Sequence, residues 1–237
     1  MNQSAKFYYF NDLKYPIFVS NETTKITKYT FQENGELWEN KSIKQFYQNI
    51  DPTKEYNIID IGAQSGLYSL YAKYLPNSTF YSFEPFPETF KLLNDNISLN
   101  GITNVKTFDY AISDKTGTAI LNTCISHNGL HTLGQNVKRF KDIKSIECKT
   151  ITLDDFFYKN DIPVNFIKID TEGFEYFILK GGINTIKKYK PIIQLEWSEI
   201  NMSQCNITIN MMENLLQEIN YKKMSFVEEE MLICSNE

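Results

Sequence analysis

The feature that most constrains this chain is a recurring pair: a short, nearly continuous apolar run, then a stretch with helical spacing. Asn57 to Ile61, Thr79 to Glu84, Phe166 to Asp170 and Ile192 to Glu196 are such runs, the mark of strands buried on both faces. Helical patterns follow them. Ser65 to Leu75 ends before Pro76, and the helix that Pro87 opens places Phe86, Phe90, Leu93 and Ile97 at spacings of 4, 3 and 4, with Gly101 at the position of a left-handed C-terminal cap. Further helices are read at Asp154 to Tyr158, Phe174 to Leu179 and Ile207 to Ile219. Strand then helix, repeated, requires crossover connections and a mostly parallel sheet covered on both sides. Val105 to Phe108 reads as another strand, Ala119 to Asn122 with Ile146 to Thr150 as an antiparallel pair, and Tyr221 to Val227 with Met231 to Cys234 as a terminal hairpin.

The alternation begins near residue 51. Residues 1–50 read as an N-terminal extension or cap, with extended pieces at Phe7 to Phe10, Ile17 to Ser20 and Lys28 to Phe31 and a helix over Trp38 to Gln48; residues 51–237 read as the α/β domain. No stretch approaches the ~18 apolar residues of a membrane span. Met1 to Ser20 carries Lys6, Asp12 and Lys14 and lacks a signal-type apolar core, so the expected compartment is the cytoplasm. Cys124, Cys148, Cys205 and Cys234 are widely spaced, against both a disulfide framework and a zinc knuckle. Acidic residues outnumber basic ones 29 to 24, and Arg139 is the sole arginine, a poor charge balance for gripping a nucleic-acid duplex.

The richest local signal is Asp60-Ile61-Gly62-Ala63-Gln64-Ser65-Gly66, set between a buried strand and a helical pattern. Gly62 permits a turn and a close backbone approach that a side chain would block. Glu84 lies 84 − 66 = 18 residues beyond Gly66, at the end of the next strand, where an acid can accept both hydroxyls of a ribose. A dinucleotide site usually reads GxGxxG, but here Asp60 takes the first glycine's place and only GxxxG remains. An acid before the turn repels a pyrophosphate and suits a cation. S-adenosylmethionine, with its sulfonium and ammonium and no phosphate, fits that charge logic better than NAD.

These residues, together with Phe83-Glu84-Pro85-Phe86-Pro87, Ala111-Ile112-Ser113-Asp114, and Ile167-Lys168-Ile169-Asp170-Thr171-Glu172-Gly173-Phe174-Glu175 with Leu179-Lys180-Gly181-Gly182, resemble the FkbM family of S-adenosylmethionine-dependent methyltransferases from about Asn57 to Tyr221. The resemblance implies a Rossmann-like class I methyltransferase fold with a seven-stranded, mostly parallel sheet, and methyl transfer to a hydroxyl of a saccharide or other small molecule. It implies a cofactor site at Asp60, Gly62, Ala63, Gln64 and Gly66 for the methionine end. Glu84 with Pro85 would hold the ribose, and Tyr110 with Ala111 would form the adenine edge. Asp170 would sit where the methyl group emerges, and Glu39, after Trp38, would correspond to an acidic residue near the cofactor.

A hydroxyl is a weak nucleophile, so a base or a metal should help remove its proton. Asp170 is the first candidate, and Lys168, two residues earlier, shares its strand face. Glu172, Glu175 and Glu196 could gather at the same opening. Such carboxylates could bind Mg²⁺, or they could cap the following helix. His127 and His131, in the polar segment Thr123 to Lys144, could serve as a base. Phe86 and Phe108 could wall the adenine or belong to the core. Two further readings stay open: a nucleic-acid methyltransferase, and a non-catalytic binding module on the same scaffold.

Overall fold

The computed structural model describes residues 6–9, 16–19, 40–124, 130–137, 142–227 and 231–236. Glu39, His127, Trp38 and the Lys28 to Phe31 strand lie outside the described residues.

Five strands run parallel: Asn57–Ile61 (β3), Thr79–Phe83 (β4), Val105–Phe108 (β5), Phe166–Ile169 (β9) and Ile192–Glu196 (β10), in the order β10-β9-β3-β4-β5. At the β10 edge, Met231–Asn236 (β12) pairs antiparallel with β10, and Tyr221–Val227 (β11) pairs with β12. A separate three-stranded sheet joins Tyr110–Ile112 (β6), Gly117–Cys124 (β7) and Ile143–Ile151 (β8), with β8 central. Lys6–Tyr9 (β1) and Pro16–Val19 (β2) form a two-stranded antiparallel pair.

Because side chains alternate along a strand, the central sheet feeds two cores. Ile59, Ile61, Ile167, Ile169, Ile193 and Leu195 face Glu175–Lys180 (α3), Ile183–Tyr189 (α4) and Ile209–Glu218 (α6) through Ile178, Leu179, Ile186, Met212, Leu215 and Leu216. On the other face Ile58, Phe80 and Phe166 meet Asn40–Tyr47 (α1), a 3₁₀ helix at Ser69–Tyr74, and Pro87–Leu99 (α2) through Ile43, Phe46, Leu70, Tyr71, Leu93 and Ile97. α1 falls within the first 50 residues, yet Ile43 is 0 % and Phe46 2 % exposed, each such side chain contributing about 1.5–3 kcal/mol by leaving water. α2 ends as its sequence predicts: Gly101 N–H donates to Ser98 O and Ile102 N–H to Ile97 O, the paired bonds of a Schellman cap.

One expected helix differs. Instead of an α-helix over Ser65 to Leu75, residues 62–68 turn and a 3₁₀ helix runs from Ser69 to Tyr74. Tyr68, Tyr71 and Tyr74 recur every three residues, which the three-residue 3₁₀ turn places in one line. Tyr71 stacks on Tyr47 at 4.1 Å and meets Tyr74 edge-on at 6.3 Å. The short helix Glu199–Gln204 (α5) carries no amphipathic stripe in the sequence; Ser198 caps it by accepting from Asn201 N–H.

Candidate active site

A cavity of about 930 Å³, counted with its open mouth, lies at the C-terminal ends of β3, β4 and β9, the edge where open α/β sheets take ligands. Its wall includes Gly62, Ala63, Gln64, Tyr68, Glu84, Pro85, Tyr110, Ala111, Lys168, Asp170 and Glu172. The structure thus brings these residues from the sequence reading to one cavity. Asp60, Gly66, Phe86, Phe108, Glu175 and Glu196 are absent from its wall, and Asp60 and Gly66 support it from behind.

The glycine turn is fastened at both ends. Gly62 N–H and Ala63 N–H both donate to Phe83 O, at 3.1 and 3.0 Å, and Asp170 N–H donates to Ile61 O at 3.1 Å. Gly62 has φ +71°, and a Cβ there would stand 1.9 Å from the Asp170 carbonyl oxygen. Its missing side chain is what lets the turn lie against the end of β9. Gly66, at φ +93°, accommodates Leu93, whose Cδ1 lies 2.6 Å from where a Cβ would be; its role is to seat the turn on α2. Gly62→Ala is therefore expected to cost about 2–4 kcal/mol, the sum of left-handed strain and a backbone clash. An unfolding free energy from denaturant titration within ~0.5 kcal/mol of wild type would contradict this geometry.

Beneath the turn runs a polar row that no local pattern announces. Parallel register sets Thr107, Ser82, Asp60, Lys168 and Gln194 side by side across five strands. Ser69 Oγ bonds Asp60 Oδ2 at 2.5 Å and Ser82 Oγ at 2.7 Å, and Gln194 Nε2 donates to Tyr68 Oη at 2.7 Å. Lys168 Nζ donates to Gly62 O at 2.9 Å, lies 3.7 Å from both Asp60 Oδ1 and Asp170 Oδ2, and sits 5.1 Å from the Tyr68 ring centre. Lys168 is 4 % exposed, so its ammonium pins the turn rather than facing solvent. Burial pushes the Asp60 carboxyl up, opposed by Lys168 and by the Ser69 hydroxyl.

Glu84 is held by two amides: Gln64 N–H donates to Oε2 at 2.9 Å and Phe86 N–H to Oε1 at 2.8 Å. Burial raises this carboxyl too, opposed mainly by the Phe86 amide. His131, Thr132 and Leu133 also line the cavity. The His131 ring lies 4.3 Å from Phe86, and burial lowers its pKa to about 4, so the imidazole is neutral at pH 7. Phe108 stacks on Phe83 at 5.0 Å as core.

At the β9 end the acids gather. Asp170 and Glu172 line the cavity. Glu175 is 1 % exposed and its Oε1 accepts from Thr171 N–H and Thr171 Oγ1, both at 2.8 Å. Burial, with neighbouring Asp170, lifts the Glu175 pKa to about 7. Glu172 has φ +57°, and its carbonyl accepts from Thr132 Oγ1 at 2.9 Å, tying the 130–133 segment to the acidic corner. The sequence reading missed Tyr68, Thr132, Leu133 and Asn201; Tyr68 alone had a signal, as part of an aromatic repeat. The cavity wall carries Glu84, Asp170 and Glu172 against Lys168, a net negative surface that favours a cationic ligand.

Together these features define a net-negative cleft at the C-terminal edge of an open α/β sheet. The chain belongs to the FkbM methyltransferase family: residues 60–223 match the model of the methyltransferase FkbM domain. It is 26 % identical over 144 residues to Methyltransferase 1 of Beauveria bassiana, covering 52 % of this chain and 57 % of that protein. It is 25 % identical over 173 residues to the hexuronic acid methyltransferase AglP of Haloferax volcanii, covering 70 % and 68 %. The crystal structure of methyltransferase FkbM from Methylobacillus flagellatus superposes with a TM-score of 0.51 at 15 % identity, over 83 % of this chain and 53 % of that one. The chain therefore spans little more than half of two of these three relatives.

Proposed function

We propose that the chain is an S-adenosylmethionine-dependent O-methyltransferase acting on a hydroxyl of a saccharide or other small molecule. The observation that carries this reading is the Gly62 turn, pressed on the Asp170 carbonyl and flanked by Glu84 and Asp170. The cradle that a Cβ would fill and the negative wall both fit a sulfonium nucleoside. The family match and the sugar-acid activity in the name of the Haloferax relative support a small hydroxylated acceptor. The chain's acidic balance and single arginine weigh against nucleic acid.

The bound nucleoside supplies an electrophilic methyl group. Glu84 would hold its ribose hydroxyls, Tyr110 and Ala111 would flank the adenine, and the Gly62 to Gln64 turn would receive the methionine end. Asp170 is placed to take the proton of an acceptor hydroxyl whose oxygen would receive the methyl group. Lys168 acts as a positioning residue, holding Asp170 and Gly62 in register. Glu172 is held by Asn201 beside Asp170 and shapes the acceptor side.

Incubation of the full chain with methyl-labelled S-adenosylmethionine and a panel of sugars, sugar acids and non-sugar alcohols tests this reading. Label is expected in an ether product from at least one hydroxyl compound, with equimolar S-adenosylhomocysteine. Label appearing in RNA or DNA instead would overturn the acceptor class.

A further inference from the structure

Along the β9 side of the cavity, the acids at the ends of β9 and β10 converge. Asp170, Glu172 and Glu196 each offer a carboxylate oxygen, and the three oxygens lie within 4.8 Å of one another. They come from the end of one strand, the tight turn after it, and the end of the neighbouring strand, so the grouping is set by the sheet. Asn201 Nδ2 holds two of the three carboxylates, donating to Glu172 Oε2 at 2.9 Å and Glu196 Oε1 at 2.6 Å.

A second observation is independent of the clustering. Glu196 is 5 % exposed, and its Oε2 is buried with no hydrogen-bond partner. A carboxylate oxygen withdrawn from water without a partner is costly. Among the described residues no ion pair reaches Glu196, and the nearby ammonium of Lys168 is already shared among Asp60, Asp170 and Gly62 O. Glu196 therefore brings to this corner a buried carboxyl with one oxygen that lacks a donor.

We propose that Asp170, Glu172 and Glu196 bind one hard divalent cation of the Mg²⁺ or Ca²⁺ class. All-carboxylate donors suit hard cations. Oxygens on opposite sides of Ca²⁺ stand about 4.6–5.2 Å apart, and around Mg²⁺ about 4.0–4.2 Å. Three oxygens within 4.8 Å of one another can close on one such ion, with less movement for Ca²⁺ than for Mg²⁺. Asn201 acts as the outer group that orients the ligands. What the ion does rests on the methyl-transfer reading: beside Asp170 it would lower the pKa of an acceptor hydroxyl. That it binds does not rest on that reading.

Trp197 follows Glu196 and is 7 % exposed, a built-in sensitiser for a lanthanide probe. Titration of the full chain with Tb³⁺ under tryptophan excitation is expected to give sensitised emission that saturates at one ion per chain and is reversed by Ca²⁺ or Mg²⁺. Glu196→Gln should weaken Tb³⁺ by at least about tenfold, because affinity follows the count of charged ligands, while S-adenosylmethionine binding stays within a few-fold. If Glu196→Gln loses its folded signal, Glu172→Gln, at a partly exposed position, carries the Tb³⁺ arm of the test alone. Absence of sensitised emission, or equal affinity in wild type and variant, overturns the site. Nucleoside binding without cation binding would remove the ion and leave the methyltransferase reading standing; cation binding without nucleoside binding would do the reverse.

Discussion

Glu84→Ala is expected to weaken S-adenosylmethionine binding by at least roughly a hundredfold. Two hydrogen bonds from ribose hydroxyls to a carboxylate contribute about 3 kcal/mol or more together. The same carboxylate also holds the Gln64 and Phe86 amides at 2.9 and 2.8 Å, so the truncation loosens the Gly62 turn that the ligand meets. Each orphaned amide costs about 1–3 kcal/mol, and the variant's melting temperature should fall as well. Glu84→Gln separates the two effects. It keeps one oxygen for the Phe86 amide and should fold better than the alanine variant, yet it offers the ribose one acceptor fewer and should still bind more weakly than wild type. Calorimetric titration of chains shown to be folded by circular dichroism reads the difference. Unchanged affinity in Glu84→Ala would remove the ribose assignment.

Asp170→Asn should separate chemistry from binding. Asp170 lines the cavity, its side chain is 24 % exposed, and its Oδ2 lies 3.7 Å from Lys168 Nζ. Asparagine preserves the shape and leaves untouched the Asp170 backbone carbonyl, against which Gly62 packs. It removes the capacity to take a proton. Turnover should fall by about 10²–10⁴, the range that a positioned general base supplies, while S-adenosylmethionine affinity stays within a few-fold. Single-turnover transfer to any acceptor the wild type methylates measures this. Turnover equal to wild type would show that another group takes the proton.

Much of this site was legible in the sequence because its pieces are local. β3, β4, β9 and β10 announce themselves as short apolar runs, since strands covered on both faces have no polar side to display. Gly62 and Glu84 follow two of those runs directly, so finding the strands placed the residues. What escaped is non-local. Thr107, Ser82, Asp60, Lys168 and Gln194 form one row only after parallel register is fixed. Lys168, read from the sequence as a catalytic candidate, is drawn by that row toward Gly62 O and away from solvent. Thr132 reaches Glu172, and Asn201 spans Glu172 and Glu196, across separations of 40, 29 and 5 residues, and short loops carry no periodicity to predict such contacts. The 3₁₀ helix at Ser69–Tyr74 was misread because its tyrosines recur every three residues, a spacing that an α-helical pattern also tolerates.

The central claim is that the crevice between Gly62, Glu84 and Asp170 holds a sulfonium nucleoside. Isothermal titration of the full chain with S-adenosylmethionine, and in parallel with NADH, measures it most directly. One S-adenosylmethionine per chain and no heat from the dinucleotide is the predicted result. NADH binding with S-adenosylmethionine silent would contradict it.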